Sequence, residues 1–600
     1  MKLSDYVFDF ISGLGVRHIF TLVGGGAMHL NDSLGKCGSL KYVCNLHEQA
    51  CAISAEAYAR IFGLGVALVT TGPGGTNAIT GVVGAWQDSI PCLFISGQVK
   101  RSDLMKNKGV RQMGVQEVDI VTLVHSVTKY AVTVMDPNSI RYHLEKAVYY
   151  AKTKRQGPVW VDIPLDVQAA DIEPNELENF EEKAENVTED SNQLNDLITK
   201  VINLFNSAER PVILAGNGVR LSGAQTYFYP LIEALAVPVL LTWPAMDILP
   251  DNHKLFVGKP GSIAPRGANF VLQNADLILA LGTRLDFILT GYAPEKLGRG
   301  ARKIMVDIDP SELDKLKNLI DLPICIDAKS FLKGFYEKID IYKKKNISAW
   351  HNQCQQWKQR YPVVLPEHRK NSNHVSIYYL TEVLSNELQS NDLIVPGSSG
   401  FGVEIFLLAF KVKKGQRIFN TTALGAMGFG LPAAIGACLA SGKKRTICVD
   451  GDGGFQLNIQ ELETLRRLYL PVKCFILNNG GYASIRTMQD KYFGQRMGTD
   501  ANSGMTLPDI IKVASAYDLT TCRIVDQLDL GTQIKNVLEL PGPVICEVVL
   551  RADEPRAPSL SSAQNKNGLM VSKPLEDLWP FLEREEFFAN MIIPPLKEDL

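Results

Sequence analysis

The stretch VDGDGG, residues 449–454, sets two aspartates and three glycines between the apolar run TIC and the amphipathic segment FQLNIQELETLRRL. A strand-to-helix turn of this kind aims backbone N–H groups and the positive end of a helix dipole at one point. Its glycines let an anion come close, yet Asp452 would repel a bare phosphate. A divalent cation between the carboxylate and the phosphate oxygens removes that conflict. The following apolar run, VKCFILNN (472–479), ends in two asparagines, and a right-handed crossover lays it parallel to the first, so both strand ends meet at one edge. Asp452 and Asn479 then become oxygen ligands of one Mg²⁺, which takes few protein ligands and completes its octahedron with phosphate and water. A further carboxylate, Glu48, stands at the strand-to-helix junction of YVCNLHEQACAISAEAYAR (42–60), a place where such a group is partly buried.

The elements that must carry these side chains repeat one pattern. A short β-branched run, a Gly-rich turn and an amphipathic segment recur in VALVTTGPGG (66–75), CLFISGQ (92–98), PVILAGNGV (211–219), LILALGTR (277–284), IMVDIDP (304–310), TICVDGDGG (446–454) and KCFILNNGG (473–481). Strands buried on both faces and alternating with helices predict an α/β protein of doubly wound parallel sheets, with ligands at the carboxyl ends of the strands. The acidic segment 171–196 and the basic, aromatic segment 341–373 lack strand runs and are expected as linkers. They leave three units, residues 1–175, 195–340 and 370–555, and a C-terminal tail, 556–600.

Bulk properties narrow the partners. The chain has 600 residues, 46% hydrophobic and 21% charged, with a formal net charge of −2, so no field draws in nucleic acid or an anionic membrane. Small molecules are the expected partners. Eleven cysteines form no CxxC pair and no zinc-spaced cluster, which points to a reducing compartment. The opening MKLSDYVFDFISGLGVRHIF has helical apolar spacing broken by acids rather than a signal peptide, and no run of 18 apolar residues occurs. A cytoplasmic protein is therefore expected.

The GDG and NN motifs, with twenty-four residues between Gly453 and Asn478, resemble the diphosphate and magnesium signature of thiamin diphosphate (ThDP) enzymes. HEQ, then EAYAR, then TTGPGGTNAITGVVGAWQDSIPCLFISGQV (70–99) resembles the pyrimidine-binding domain of the acetohydroxyacid (acetolactate) synthase family. The likeness runs from about residue 5 to 550. It implies a pyrimidine-binding, an FAD-type middle and a diphosphate-binding domain. It also implies that Glu48 protonates N1′ of the aminopyrimidine, which lets the cofactor lose its C2 proton, and that Gln116 in GVQEVD is an active-site glutamine. Met427 in LGAMGFGLPAAIGA (424–437) would prop the cofactor into its V shape, with Gly25, Gly402, Gly425, Gly453, Gly454 and Tyr482 lining it. The carbonyl of Gly481 would join Asp452 and Asn479 on Mg²⁺. AGNGVR, GKPGS, GTRLD and VDIDPSEL resemble the family's flavin-binding domain, with Gly216, Arg284, Asp286 and Asp307 in matching places, so FAD is expected in a largely structural role. Glu48 and Asp452 would meet across a subunit interface, which makes a homodimer the minimum active unit and leaves a homotetramer open.

Departures from the family bear on the substrate. Where acetolactate synthases have an arginine two positions after the aspartate of the GTRLD-like motif, this chain has Ile288; where they have a tryptophan after the NN strand, it has Met488. In the family those residues grip the carboxylate of the second 2-ketoacid, a charge-assisted contact worth roughly 1.5 to 3 kcal/mol. Ser484 and Arg486 make the rim more polar, and Val403 and Glu404 replace the usual Gln-His pair. The combination resembles the FAD- and ThDP-dependent carboligases that add an acetyl unit from pyruvate to a keto-sugar nucleotide. The expected reaction is decarboxylation of pyruvate and transfer of the two-carbon unit to an acceptor carbonyl. Acetolactate synthase proper, with pyruvate as acceptor, and a pyruvate oxidase-type flavin oxidoreductase are the alternatives. The tail, with Trp579 as an anchor, would either close over the site or pack on a neighbouring subunit.

Overall fold

The computed structural model describes residues 1–600 apart from 106–107, 183–190, 399, 553, 565–567 and 597–600. Three six-stranded sheets organise the chain, as the repeated pattern predicts. The first has the order Lys41–Cys44, His18–Thr21, Gly65–Val69, Cys92–Gln98, Val159–Pro164, Ala131–Thr133, with every neighbouring pair parallel. The third runs Arg417–Ile418, Leu393–Pro396, Thr446–Gly451, Val472–Asn478, Val544–Val549, Thr520–Ile524, again all parallel. Numbered within each unit, both follow the order 2-1-3-4-6-5. The middle sheet differs: Leu322–Cys325, Arg302–Asp307, Leu277–Leu281, Pro211–Ala215, Val239–Leu241, Phe256–Gly258. From its other edge this is 3-2-1-4-5-6, the order whose reversal point between strands 1 and 4 accepts a dinucleotide. Gly65–Val69, Cys92–Gln98, Pro211–Ala215 and Leu277–Leu281 are buried at every residue, which is why they read as continuous apolar runs.

The first and third units pack on each other through topologically equivalent helices. Glu48–Phe62 follows the second strand of the first unit, and Gly430–Ala440 follows the second strand of the third. Their sequences, EQACAISAEAYARIF and GLPAAIGACLA, are rich in small residues, which permits close backbone approach. Ser54 donates its hydroxyl to the Pro432 carbonyl at 2.8 Å. A Cβ at Gly436 would lie 2.1 Å from the Ser54 carbonyl oxygen, so only glycine fits there. One hydrophobic cluster runs through both units.

The structure departs from the sequence expectation in three places. The segment expected as one helix after Asp452 is broken into Asp452–Phe455, a 3₁₀ stretch Gln456–Glu461 and Leu462–Leu468, with Asn458 at φ −135° and ψ 32°. The Asn458 side chain supplies the reason, donating to the Gly428 carbonyl at 2.8 Å and to Gln49 Oε1 at 2.9 Å. The basic, aromatic stretch expected as a linker instead folds into the helix Ser348–Arg360, which buries Trp350, Cys354 and Trp357 against Arg266–Asn274 of the middle unit. Nearer the N-terminus, the helix Ser191–Ser207 begins inside the expected acidic linker, and residues 183–190 of that linker lie outside the described residues.

The tail, expected either to close over the site or to pack on a neighbouring subunit, is seen packed on its own chain. It lies over the middle unit of its own chain, where Leu575, Leu578 and Phe587 are buried while Trp579 stays 39% exposed. Asn269 donates to the Leu575 carbonyl at 2.7 Å, Gln273 to Glu576 at 2.7 Å, and the Trp357 indole N–H to Asn590 at 2.7 Å. Among the described residues no helix is long and apolar enough to cross a membrane.

Candidate active site

At the carboxyl edge of the third sheet, Thr446–Gly451 lies in parallel register with Val472–Asn478, pairing Gly451 with Leu477. This register carries the chain directly into Asp452 on one strand and Asn479 on the next. Asp452 is buried, and its two carboxylate oxygens accept from the Gly453 N–H at 2.8 Å and the Gly481 N–H at 2.9 Å. Burial pushes its pKa up to about 6, against the pull of those N–H donors. The two asparagines divide their work. Asn478 is occupied, donating to Glu547 at 2.6 Å and accepting from the Gly480 N–H at 3.0 Å. Asn479 keeps a buried Oδ1 that has no hydrogen-bond partner among the described residues. A buried amide oxygen without a donor is costly unless something electropositive meets it. One carboxylate, one free amide oxygen and main-chain carbonyls form an oxygen donor set that fits Mg²⁺.

The glycines around this turn are required by close approach. A Cβ at Gly453 would sit 2.3 Å from the Tyr482 ring, and one at Gly481, where φ is +124°, would sit 2.3 Å from the Thr499 carbonyl oxygen. Asp452, Gly453, Gly481 and Tyr482 are thus brought together. Gly454 packs on the buried Asp450, and Gly402 packs its helix against Leu477. Gly425 has φ +64°, and Met427 two residues on is 38% exposed. Gly25 opens a short 3₁₀ turn after the first strand.

Glu48 is the first residue of its helix and only 6% exposed. Its carboxylate accepts from the Asn77 side chain at 3.0 Å, and the His47 ring caps the helix by accepting from the Gln49 N–H. Among the described residues no hydrogen bond joins Glu48 to Asp452. Gln116 borders Gly72, the N-cap residue of the helix carrying Asn77. It has φ +63°, and its carbonyl lies so near Gly72 that a Cβ there would be 2.1 Å away. Glu117 gathers this loop, accepting from the N–H groups of Met105, Met113 and Gly114. Beneath it, Gln98 donates to the Val118 carbonyl and to the buried Asp162.

Asp162 also accepts from Ser96 at 2.6 Å and Thr133 at 3.1 Å, while burial raises its pKa to about 7. A carboxyl group whose folded pKa lies above its unfolded value stabilises the fold at low pH and loses that contribution as pH rises through the folded value. From near pH 4 to pH 7, wild type should therefore lose stability relative to Asp162→Asn with a slope of up to about 1.4 kcal/mol per pH unit, and the difference should level off above pH 7. Denaturant midpoints of both proteins at four pH values check this.

The four middle-unit candidates also converge. Gly216 follows the strand Pro211–Ala215, Arg284 and Asp286 follow Leu277–Leu281, and Asp307 ends Arg302–Asp307. All four line one cavity of about 430 Å³ at the reversal point of the sheet, bounded on its other side by Arg60 and Arg155 of the first unit. A Cβ at Gly216 would be 2.3 Å from the Gly282 carbonyl oxygen, so the two strand ends touch. Asp286 is committed as a helix cap, accepting from the N–H groups of Ile288 and Leu289. Burial raises the Asp307 pKa.

The rim residues are accounted for as follows. Ile288 and Met488 are 37% and 55% exposed. Arg486 is turned inward, donating to the Asn479 carbonyl at 3.1 Å. Glu404 pairs with Arg556, Val403 is buried, and the Ser484 hydroxyl is buried without a partner among the described residues. Asn77, Asn458 and Glu461 escaped the sequence reading. Phe455, Leu457 and Ile459 alternate with period two, a signal at odds with an unbroken helix.

Three family profiles match in order along the chain. "Thiamine pyrophosphate enzyme, N-terminal TPP binding domain" matches residues 1–123, the central domain 198–335, and the C-terminal TPP binding domain 402–548. Fold and site thus define a ThDP-dependent enzyme. The chain belongs to the acetolactate synthase family, whose members form carbon–carbon bonds. It is 30% identical over 580 residues to acetolactate synthase 2, chloroplastic, of Zea mays, covering 94% of this chain and 87% of the relative. It is 30% identical over 569 residues to the acetolactate synthase large subunit of Cyanidium caldarium, covering 92% and 94%.

Proposed function

We propose that the protein decarboxylates pyruvate and transfers the resulting two-carbon unit to an acceptor carbonyl, using ThDP, Mg²⁺ and a structural FAD. The observation that carries this reading is the partnerless Oδ1 of Asn479 beside the buried Asp452 carboxylate. Asp452, Asn479 and the Gly481 carbonyl would hold Mg²⁺, and Met427, Gly425 and Gly453 would frame the cofactor. When bound, ThDP supplies an electron-accepting thiazolium that takes up the bonding electrons as carbon dioxide leaves. The chain's own residues do the rest. Glu48 holds and returns a proton through its carboxylate, and Asn77 fixes the orientation of that carboxylate. The middle cavity, with Gly216, Arg284, Asp286 and Asp307, would hold FAD, a reading supported by the 3-2-1-4-5-6 strand order. A homodimer in which Glu48 and Asp452 come from different subunits is supported by apolar side chains left exposed near the site, among them Leu46, Met427 and Leu457.

The acceptor is read from Ile288 and Met488, which offer no charge to a carboxylate, and from Arg486, which is engaged with the Asn479 carbonyl. These favour an acceptor carbonyl compound without a carboxylate, of which a keto-sugar nucleotide is one. Pyruvate as acceptor is the second reading, supported by the names of the relatives. Purified protein with Mg²⁺, ThDP, FAD and pyruvate alone separates them. The first reading expects slow carbon dioxide release that added ketones accelerate; steady acetolactate formation from pyruvate alone would replace it with the second.

A further inference from the structure

The short segment around Glu48 is held from outside its own unit. Glu461, fully buried in the third unit, accepts from the Asn45 side chain at 2.9 Å and from the Leu46 N–H at 2.8 Å. Asn458 reaches Gln49 at 2.9 Å, and Arg467 donates to the Cys44 carbonyl. Contacts on both sides of Glu48 therefore come from residues 458–467 of the same chain, more than 400 positions away. Glu461 also accepts from the Thr464 hydroxyl at 2.7 Å and has no cation paired with it among the described residues. Burying a carboxylate in this way is unfavourable unless every oxygen is bonded, and two of its three donors belong to the junction that presents Glu48.

Asn458 makes the same point from the backbone. It leaves helical geometry and breaks the helix that follows the Asp452 turn. With one amide group it bonds Gln49, next to Glu48, and the Gly428 carbonyl, next to Met427. Glu48 itself has one side-chain partner among the described residues, Asn77. Its place is therefore set by the main chain of residues 45–49, at a helix end that would otherwise fray.

We propose that Asn458 and Glu461 are positioning residues that clamp the Asn45–Gln49 junction and so place the Glu48 carboxylate for proton transfer. This rests on the proton-transfer role of Glu48. A displacement near 1 Å at such a group costs on the order of 100-fold in rate.

The test compares Asn458→Ala, Glu461→Gln and Gln49→Ala, each in the wild-type and Glu48→Gln backgrounds. In protein free of cofactor, amide exchange at Leu46 and Gln49 should quicken by about ten-fold or more in Asn458→Ala and Glu461→Gln, with the rest of the first unit unchanged. In the loaded enzyme, kcat for carbon dioxide release should fall about 10- to 100-fold with little change in KM. In the Glu48→Gln background the same changes should cost less than about two-fold, because the clamp acts only through the carboxylate. Gln49→Ala removes the Asn458 bond from its other end and serves if Asn458→Ala fails to fold. Unchanged exchange at 45–49, or an equal loss of kcat in both backgrounds, would overturn the clamp. A Glu48→Gln enzyme of near wild-type rate would overturn the role of Glu48 itself, a result visible before any clamp variant is made.

Discussion

Replacing Glu48 by glutamine is expected to slow carbon dioxide release from pyruvate by about 10²- to 10⁴-fold, the usual contribution of a well-placed general acid or base. The substitution keeps the side chain's length and its acceptor oxygen for Asn77, so the helix and its neighbours have no reason to move. What is lost is the ability to hold and give up a proton. Affinity for Mg²⁺ and ThDP should stay within a few-fold of wild type, because the proposed Mg²⁺ and diphosphate site lies in the third unit, away from this substitution. Calorimetric titration with the cofactor and a stopped assay for carbon dioxide, run on the same preparation, separate the two quantities. Turnover near the wild-type rate would remove Glu48 from the mechanism.

Asp452→Ala should do the reverse, abolishing cofactor binding while leaving the fold. The carboxylate is buried, and removing one partner of a buried ionic contact costs about 3 to 5 kcal/mol, or two to nearly four powers of ten in affinity. Asn479→Ala removes a neutral ligand and should cost less, on the order of ten-fold. Asn478→Ala should weaken the turn through Glu547 and Gly480 without a Mg²⁺-dependent phenotype. The ordering Asp452 above Asn479 above Asn478 in loss of Mg²⁺ affinity is the checkable pattern. Equal affinity in wild type and Asp452→Ala would show that the metal sits elsewhere.

Much of this was legible in the sequence because parallel strands buried on both faces announce themselves as apolar runs. The Asp452 turn and the Glu48 junction sit at the ends of such runs, so reading the strand located the residue. The four middle-unit residues came from the family resemblance of their motifs, and each lies within a few positions of a strand end, which is why they meet at one cavity. What escaped were contacts between segments far apart in the chain. Nothing local to Asn458 says that its amide will serve Gln49 and Gly428, although the alternating Phe455, Leu457 and Ile459 hinted that the helix would not hold. The helix Ser348–Arg360 misled for a related reason. Its surface is polar and basic, and only Trp350, Cys354 and Trp357 face inward, too few to mark it as core. Arg486 looked like a group at the mouth of the site, but its length lets it fold back onto the Asn479 carbonyl.

The tail gives the chain an unusual order of assembly. Domains ordinarily fold as they leave the ribosome, the N-terminal ones first. Here the middle unit draws Leu575 and Phe587 into its core, and Asn269, Gln273 and Trp357 donate hydrogen bonds to Leu575, Glu576 and Asn590. Those residues follow the whole third unit in the chain. The second unit to be synthesised is therefore the last to be finished, waiting with an apolar face uncovered while the whole third unit emerges, and a ribosome that stalls late would release a protein whose active-site turns are intact but whose centre is open.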